Sequence, residues 1–492
     1  MNTTNIKDVK PKEEADQMEN KYKEQKPLID SEYAAKKRKK IIAVTASIAI
    51  AFIAFLFALT TVIIPNQKLN KANGLLASGE YDAAYAILEE IGNQDAIALS
   101  ELDRAIAVID AGGYRAGYKL LEELRNNDAV AAKRYDKALE YIDSGKYEAA
   151  YALLKDFNYK DSNSKRNSIM PQYLKAISST SQVGHYIFFG SYEQDNNTSN
   201  GKEDIEWRIL ARDGEKLLVI SHYALDVQPC DTSQEEDFSW ENCSLREWLN
   251  GTFFNNAFCS EEQDLIQSVT ITEDDDQSSS TSPDTDINDK VFLLSISEAH
   301  KYFVDTDFAP FLRKTKLELW CKGTAYCLAQ GAKNDRGYCW WWLRSPSTSA
   351  PSWWKPQDGP FTPTRSHAAL VDYMGDIDRA DFIGDDIVNS DPYAIRPVLW
   401  IDPGPSEGIE NSGDSVENKM DRATKLYFRS DREAANKLFD EIGTGDVIKA
   451  IRYYRALEYI ENYNNMAISL LWDLNYKDSE SWLDKLIPGR NE

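Results

Sequence analysis

Tyr81, Tyr114 and Tyr147 stand 33 residues apart, and so do Leu88, Leu121 and Leu154. Each tyrosine sits beside a glycine, in Gly79-Glu80-Tyr81-Asp82-Ala83-Ala84-Tyr85, Gly113-Tyr114-Arg115-Ala116-Gly117-Tyr118 and Gly145-Lys146-Tyr147-Glu148-Ala149-Ala150-Tyr151. A fixed period of this length, with two helical segments per unit, is the pattern of stacked helical hairpins. One hairpin has an apolar face that it buries only against the next. The period therefore predicts an all-α array over residues 66–178. It returns at the far end, where Asn158-Tyr159-Lys160-Asp161-Ser162 recurs as Asn475-Tyr476-Lys477-Asp478-Ser479 and Leu438 and Leu471 are again 33 apart. Residues 419–488 are thus a C-terminal helical-repeat segment. Two arrangements stay open: one array with a domain inserted into it, or two short arrays at the domain's ends.

Upstream, residues 1–40 are polar and lack apolar periodicity, which predicts a disordered tail. They close on Lys36-Lys37-Arg38-Lys39-Lys40. From Ile41 to Ile64 no charged residue occurs, over 24 positions. Roughly 20 apolar residues suffice to cross a bilayer as a helix. Length and position argue against a signal peptide. Residues 41–64 are therefore expected to be a single transmembrane helix, and the basic cluster before it places the tail in the cytoplasm. This predicts a single-pass cell-membrane protein with its C-terminal domains extracytoplasmic. The formal net charge of the chain is −24, a field that repels phosphate backbones, so no nucleic-acid partner is expected.

At Gly184 the pattern changes. Ile187–Tyr192, Ile205–Leu210 and Lys216–His222 read as strands, with Asn200-Gly201 closing a turn between the first two. Ser244-Leu245-Arg246-Glu247, Ser260-Glu261-Glu262-Gln263 and Ser295-Ile296-Ser297-Glu298 read as helix-opening capping boxes. The Trp340, Ala368 and Ile395 runs read as late strands. Residues 184–402 are then a central α+β domain with a mainly antiparallel sheet, and a Gly/Pro/Ser/Glu linker over 403–418 leads back to helix. The fold class is multi-domain: a transmembrane helix, all-α repeats and the central α+β domain.

Several segments of that domain carry a resemblance: Phe189-Gly190-Ser191-Tyr192-Glu193-Gln194-Asp195, Ile205-Glu206-Trp207-Arg208, Ser244-Leu245-Arg246-Glu247-Trp248-Leu249-Asn250, Trp341-Trp342-Leu343-Arg344-Ser345-Pro346 and Ile395-Arg396-Pro397-Val398-Leu399-Trp400. In this order they resemble the bacterial domain of unknown function DUF6273. The resemblance implies a bacterial surface protein and brings no activity with it. The helical units resemble tetratricopeptide repeats without that family's Trp and Pro positions. The late Trp-Trp-x-Arg-Ser strand and closing Arg-Pro-x-Leu strand are similar to C-type-lectin-like domains of the formylglycine-generating-enzyme type. Neither the Glu-Pro-Asn and Trp-Asn-Asp motifs of calcium-dependent lectins nor a match for that enzyme's cysteine pair occurs, so sugar specificity and oxidase chemistry are not carried over.

Catalytic motifs are scarce. Gly404-Pro405-Ser406-Glu407-Gly408 matches G-x-S-x-G, but in a linker rather than at a strand-to-helix turn. Four histidines are scattered singly, and six cysteines lack a CxxC pair. Cys321 and Cys327 are the closest pair in sequence, either for a disulfide or as buried thiols. Asp195, Asn197, Ser199 and Glu206 approach an EF-hand spacing, but the glycine is displaced to Gly201, which favours a hairpin loop. Asp372, Asp376 and Asp378, with Asp381, Asp385 and Asp386 behind them, form an acidic loop that could hold calcium or simply be solvated. Strand alternation sets Trp341 opposite Trp340 and Trp342. Trp340 and Trp342, with Trp353 and Trp354, are candidates for an aromatic platform. Arg344 and Arg396 lie in apolar strands and need either a buried carboxylate or an anionic ligand. The expected function is a membrane-anchored, non-enzymatic binding or scaffolding protein of a bacterial cell envelope, its ligand a cell-wall polymer, glycan or protein. The alternatives are an extracytoplasmic enzyme of the formylglycine-generating type and a purely structural envelope protein.

Overall fold

The computed structural model describes residues 63–487 apart from 125–126, 233–237, 272–286, 305–318, 348–367, 378–391, 405–414, 429–430 and 461–463, together with scattered positions between 18 and 57. The chain forms two compact units, Met1–Gln94 and Asp95–Glu492.

In the first unit the helices Ile64–Ala77 and Tyr81–Glu90 form a hairpin, tied by an ion pair between Lys68 and Glu90. The expected transmembrane helix over 41–64 is not supported. Among the described residues no helix is long and apolar enough to cross a membrane. Many positions of the run lie outside the described residues. The helix that begins at Ile64 carries Asn66, Gln67, Lys68, Asn70 and Lys71, so its faces are not apolar all round.

The second unit begins with the predicted hairpins, Gln94–Asp110 with Tyr114–Glu123 and Asp128–Asp143 with Tyr147–Leu154, followed by Ser162–Ser168 and Met170–Thr180. Gly117 carries no side chain because a Cβ there would stand 2.4 Å from the Ile109 side chain. The C-terminal helices Val416–Phe428, Arg432–Ile442, Gly445–Tyr459, Asn464–Leu471 and Ser479–Leu486 repeat this design. The repetition reaches individual bonds. Tyr135 donates its hydroxyl to Asp161, and Tyr453 does so to Asp478. Arg134 donates to the Lys155 carbonyl at 2.8 Å, and Arg452 to the Trp472 carbonyl at 3.3 Å. The Tyr159 and Tyr476 amides reach Ser162 and Ser479 at 3.0 and 3.2 Å.

The two helical segments pack on each other, which resolves the choice left open above. Buried Arg104 reaches the Tyr476 hydroxyl at 3.3 Å and Asp446 at 3.8 Å, and Tyr454 and Lys477 both donate to Glu123. At Gly112 and Gly113 a Cβ would collide with Val416 and Ile451, 2.8 and 2.7 Å away. Within the second unit the helical segments on either side of the central domain pack as one body, and that domain is inserted between them.

That domain holds two four-stranded sheets. The first has the order β1-β2-β3-β12, with β1 Tyr186–Tyr192, β2 Glu203–Asp213, β3 Lys216–Ser221 and β12 Val398–Ile401. The second has the order β10-β9-β11-β4, with β4 Asp226–Pro229, β9 Trp341–Pro346, β10 Ala368–Val371 and β11 Pro392–Ile395. All pairings in these two sheets are antiparallel except β9 with β11. The Ile395–Ile401 run, read as one strand, is split between the sheets. Pro397 has no N–H to give a ladder, and at that point the chain leaves β11 and joins β3 through β12. Of the three expected capping boxes, that at Ser295 forms with Glu298. The other two helices start one residue earlier, with Cys243 and Cys259 as N-caps.

Gly113→Val should force Ile451 away. Overpacking of this kind costs about 1–3 kcal/mol, so the variant should unfold at lower urea, with faster amide exchange across Gly445–Tyr459. Unchanged exchange there would show that the two segments do not depend on this contact.

Candidate functional site

Where the hairpins, β1 and the C-terminal helices converge, they leave a cavity of about 250 Å³. Tyr114, Tyr118 and Glu148 face it from the array, His185 and Phe188 from the start of the central domain, and Glu417 and Arg455 from the C-terminal helices. The helical period explains the array's share, since Tyr114 and Tyr118 are four residues apart and fall on one face.

One side of the cavity is a buried charge network. Arg115 bonds Glu206 of β2 at 2.7 Å and Glu458 at 3.0 Å, with its guanidinium 4.3 Å over the Tyr186 ring. Arg455 bonds Glu458 at 2.9 Å, Glu417 at 3.5 Å and also Asp421. Burial opposes the charge on Arg115, and Glu206 and Glu458 outweigh it, so the guanidinium stays protonated. Burial pushes the Glu206 carboxyl up, but Arg115 and the other cationic groups around it together pull it below the ordinary range. Asp421 is likewise raised by burial and lowered more by Arg455 and His185, to about 2. His185 accepts the Gln182 amide on Nδ1 at 3.2 Å and turns Nε2 towards Asp421, 3.5 Å away. His222, 4.0 Å from Glu206, is held neutral as burial lowers its pKa to about 4.

The other side is uncharged apart from Glu148. Its carboxyl takes hydrogen bonds from Tyr114 and Thr180, and burial raises it above the usual carboxylate range. The Tyr173 hydroxyl accepts the Phe188 amide at 3.2 Å. Behind this wall, Asp204 of β2 binds Arg166 at 2.5 Å and the Tyr151 hydroxyl at 2.8 Å, fastening the sheet to the array.

Residues 214–403 match the family described as Domain of unknown function (DUF6273). These residues are a DUF6273 domain. The match begins between β2 and β3, so the first two strands of the sheet, including Glu206 and His185 beside them, precede it. No curated protein and no solved structure matches the chain, so no structural neighbour supports the likeness to C-type-lectin-like domains.

Within the DUF6273 domain the residues expected at a ligand site do other work. Trp340 and Trp342 do not form an open platform: they are 8% and 0% exposed, buried like Trp341. β9 lies between β10 and β11 and is covered on both faces. The Trp341 and Trp342 indoles donate to the Leu319 and Gln228 carbonyls at 3.2 and 3.0 Å, and Trp340 packs on Tyr373 with ring centroids 4.6 Å apart. Trp353 and Trp354 lie outside the described residues. Arg344 is buried, donates to the Leu293 carbonyl and pairs with Glu298, the capping residue of the Ser295 helix. Arg396 donates to the Ser221 carbonyl at 2.9 Å and lies 5.2 Å over the Trp341 ring. Both arginines are therefore placed inside the fold, where Arg344 makes the salt bridge weighed above. Asp372 and Asp376 are buried; Asp372 accepts the Met374 and Asp376 amides, both at 2.8 Å, closing its own turn. Asp378 lies outside the described residues. The described carboxylates close enough to share an ion are Glu193, Asp195 and Glu203 of the β1–β2 hairpin. They already accept the Gln194, Asp195 and Asn197 amides, which fits the hairpin loop expected there.

All six cysteines are free thiols. Cys321 does not pair with Cys327. Cys327 instead hydrogen-bonds Cys339, which pushes its pKa up, and Cys230 sits against Cys243. Burial pushes Cys259 up to about 12 and Cys321 to about 11.

Asp421→Asn tests the network. A carboxyl lowered from 3.8 to about 2 contributes about 2 kcal/mol of stability. That contribution is complete above the unfolded value and lost as the pH falls through the folded one. The variant should be less stable at pH 7, and the gap should narrow between about pH 4 and pH 2; a pH-independent gap would contradict the lowered value. Alkylation under native conditions should label Cys259, the one thiol that is not buried, before the other five, and all six after denaturation. Fewer than six labels in unfolded, unreduced protein would reveal a disulfide.

Proposed function

We propose that this chain is a non-enzymatic binding and scaffolding protein, in which the helical array and the edge of the DUF6273-containing domain together hold a small molecule. The observation that carries this reading is the cavity at the junction of three chain segments. Its volume of about 250 Å³ equals the liquid volume of roughly eight waters, near the lower end of ligand pockets. That size suits a small molecule or the tip of a larger one. It does not suit a length of cell-wall polymer or a folded protein.

Binding rather than catalysis fits the chemistry around it. The two arginines are engaged by carboxylates, His185 is oriented by Gln182 and Asp421, and the thiols are elsewhere. A rigid wall with few mobile charged groups selects a ligand by shape and a few polar contacts. The scaffolding half of the reading rests on the continuous array, whose stacked hairpins fix the inserted domain at both ends.

Thermal unfolding of the full chain against a panel of small polar metabolites tests the reading. A true ligand at about 100 times its Kd should stabilise the chain by about 2.7 kcal/mol. Ile177→Phe, which fills the cavity from the array side, should abolish that response while leaving the unliganded transition close to wild type. A response that survives this filling would place binding somewhere else.

A further inference from the structure

Resting on the cavity reading above, we infer that the ligand is a small organic cation, an alkylammonium or quaternary ammonium ion, held against Glu148. Three observations argue against an anionic ligand. Around the cavity stand five carboxyl groups, Glu148, Glu206, Glu417, Asp421 and Glu458, against two guanidinium groups, Arg115 and Arg455. An anionic ligand would need one of those guanidinium groups. Each is already held by at least two carboxylates, at 2.7 and 3.0 Å for Arg115 and at 2.9 and 3.5 Å for Arg455 among others. Lys155, behind the Phe188 ring at 4.4 Å, is paired with Asp156.

Glu148 is different. Its carboxyl faces the cavity, its described partners are the hydroxyls of Tyr114 and Thr180, and among the described residues it has no ion-pair partner. A carboxylate removed from water and lacking a cation costs free energy that an entering cation recovers. The surroundings suit that cation as well. Tyr114, Tyr118 and Tyr173 line the same space and bring aromatic rings and hydroxyl oxygens to it, the kinds of group that hold ammonium ions in aromatic sites; Tyr173 is stacked on Tyr151 on one face and Tyr118 has Lys155 5.5 Å over its ring. Elsewhere in the same wall the protein already sets cations on rings, with Arg115 on Tyr186 and Lys155 on Phe188.

The test is isothermal titration of the full chain with choline and n-butylammonium, set beside 3,3-dimethylbutan-1-ol, the uncharged shape analogue of choline, and 3,3-dimethylbutanoate. At least one cation should bind saturably, about ten-fold or more tighter than the neutral analogue. The butanoate should not bind. Glu148→Gln keeps an acceptor for Tyr114 and Thr180, so its thermal transition should stay near wild type while cation affinity falls about ten-fold or more. Equal binding of the alcohol, or tighter binding of the butanoate, overturns the cation inference and leaves the cavity reading standing. Cation binding unchanged in Glu148→Gln overturns the role of Glu148 and with it the inference. No heat from any of the four overturns the inference, and if the metabolite panel is silent too, the cavity reading falls with it.

Discussion

Arg115 holds three parts of the chain at once. It projects from the helix Tyr114–Glu123, binds Glu206 on β2 and binds Glu458 at the end of Gly445–Tyr459. A guanidinium is suited to this because its fork of donors keeps a fixed geometry and it stays charged when buried. Such a node adds little net stability over an apolar packing of the same shape, but removing one partner leaves an uncompensated charge, which costs several kcal/mol. Its effect is therefore on arrangement. With Glu206 and Glu458 both bound to one side chain, the sheet, the hairpins and the C-terminal helices have one relative placement, and the cavity between them has one shape.

The second fastening is the Asp204 cluster, where Arg166 and Tyr151 come from the array and the carboxylate from β2. Asp204 and Glu206 are two residues apart on the same strand and so share a face. One face of β2 consequently carries two acids, each bound by an arginine of the array. Both acids precede the DUF6273 match, so β1 and β2 dock on the array while their other side chains, Phe189, Trp207 and Ile209 among them, are buried in the core.

How much of this was legible beforehand varies with the physics involved. The array was legible because its signal repeats, and three tyrosines and three leucines in register leave few other folds. Most strands were legible from apolar runs bounded by turns. The run at Ile395–Ile401 misled because apolar continuity says nothing about which sheet a residue joins; Pro397 was the mark of the switch. Trp340 and Trp342 misled for a related reason. Period-two alternation separates two faces but does not say that one is wet, and a central strand between covering layers buries both. The apolar run at Ile41 was read from its length and its lack of charge. The cavity was the least legible feature, since Glu148 and Arg455 are ordinary helix residues until distant segments meet. One signal did exist. Ser78-Gly79 and Ser144-Gly145 turn two of the hairpins, while the turn between them is Gly112-Gly113. The extra glycine marks the turn against which Val416 and Ile451 pack.

The insertion also sets an order in time. Ile451, which closes over Gly113, is made only after the whole central domain has been synthesised. At about 5–20 residues per second, the intervening stretch occupies a ribosome for roughly 20 to 70 s. Through that interval the first half of the array exists with its docking face bare, and the two glycines there present backbone rather than greasy side chains. A surface that must wait so long uncovered is safer when it is small and poor in apolar atoms, and Gly112-Gly113 supplies that. The same pair that lets the two halves close late also keeps the early half from closing on something else.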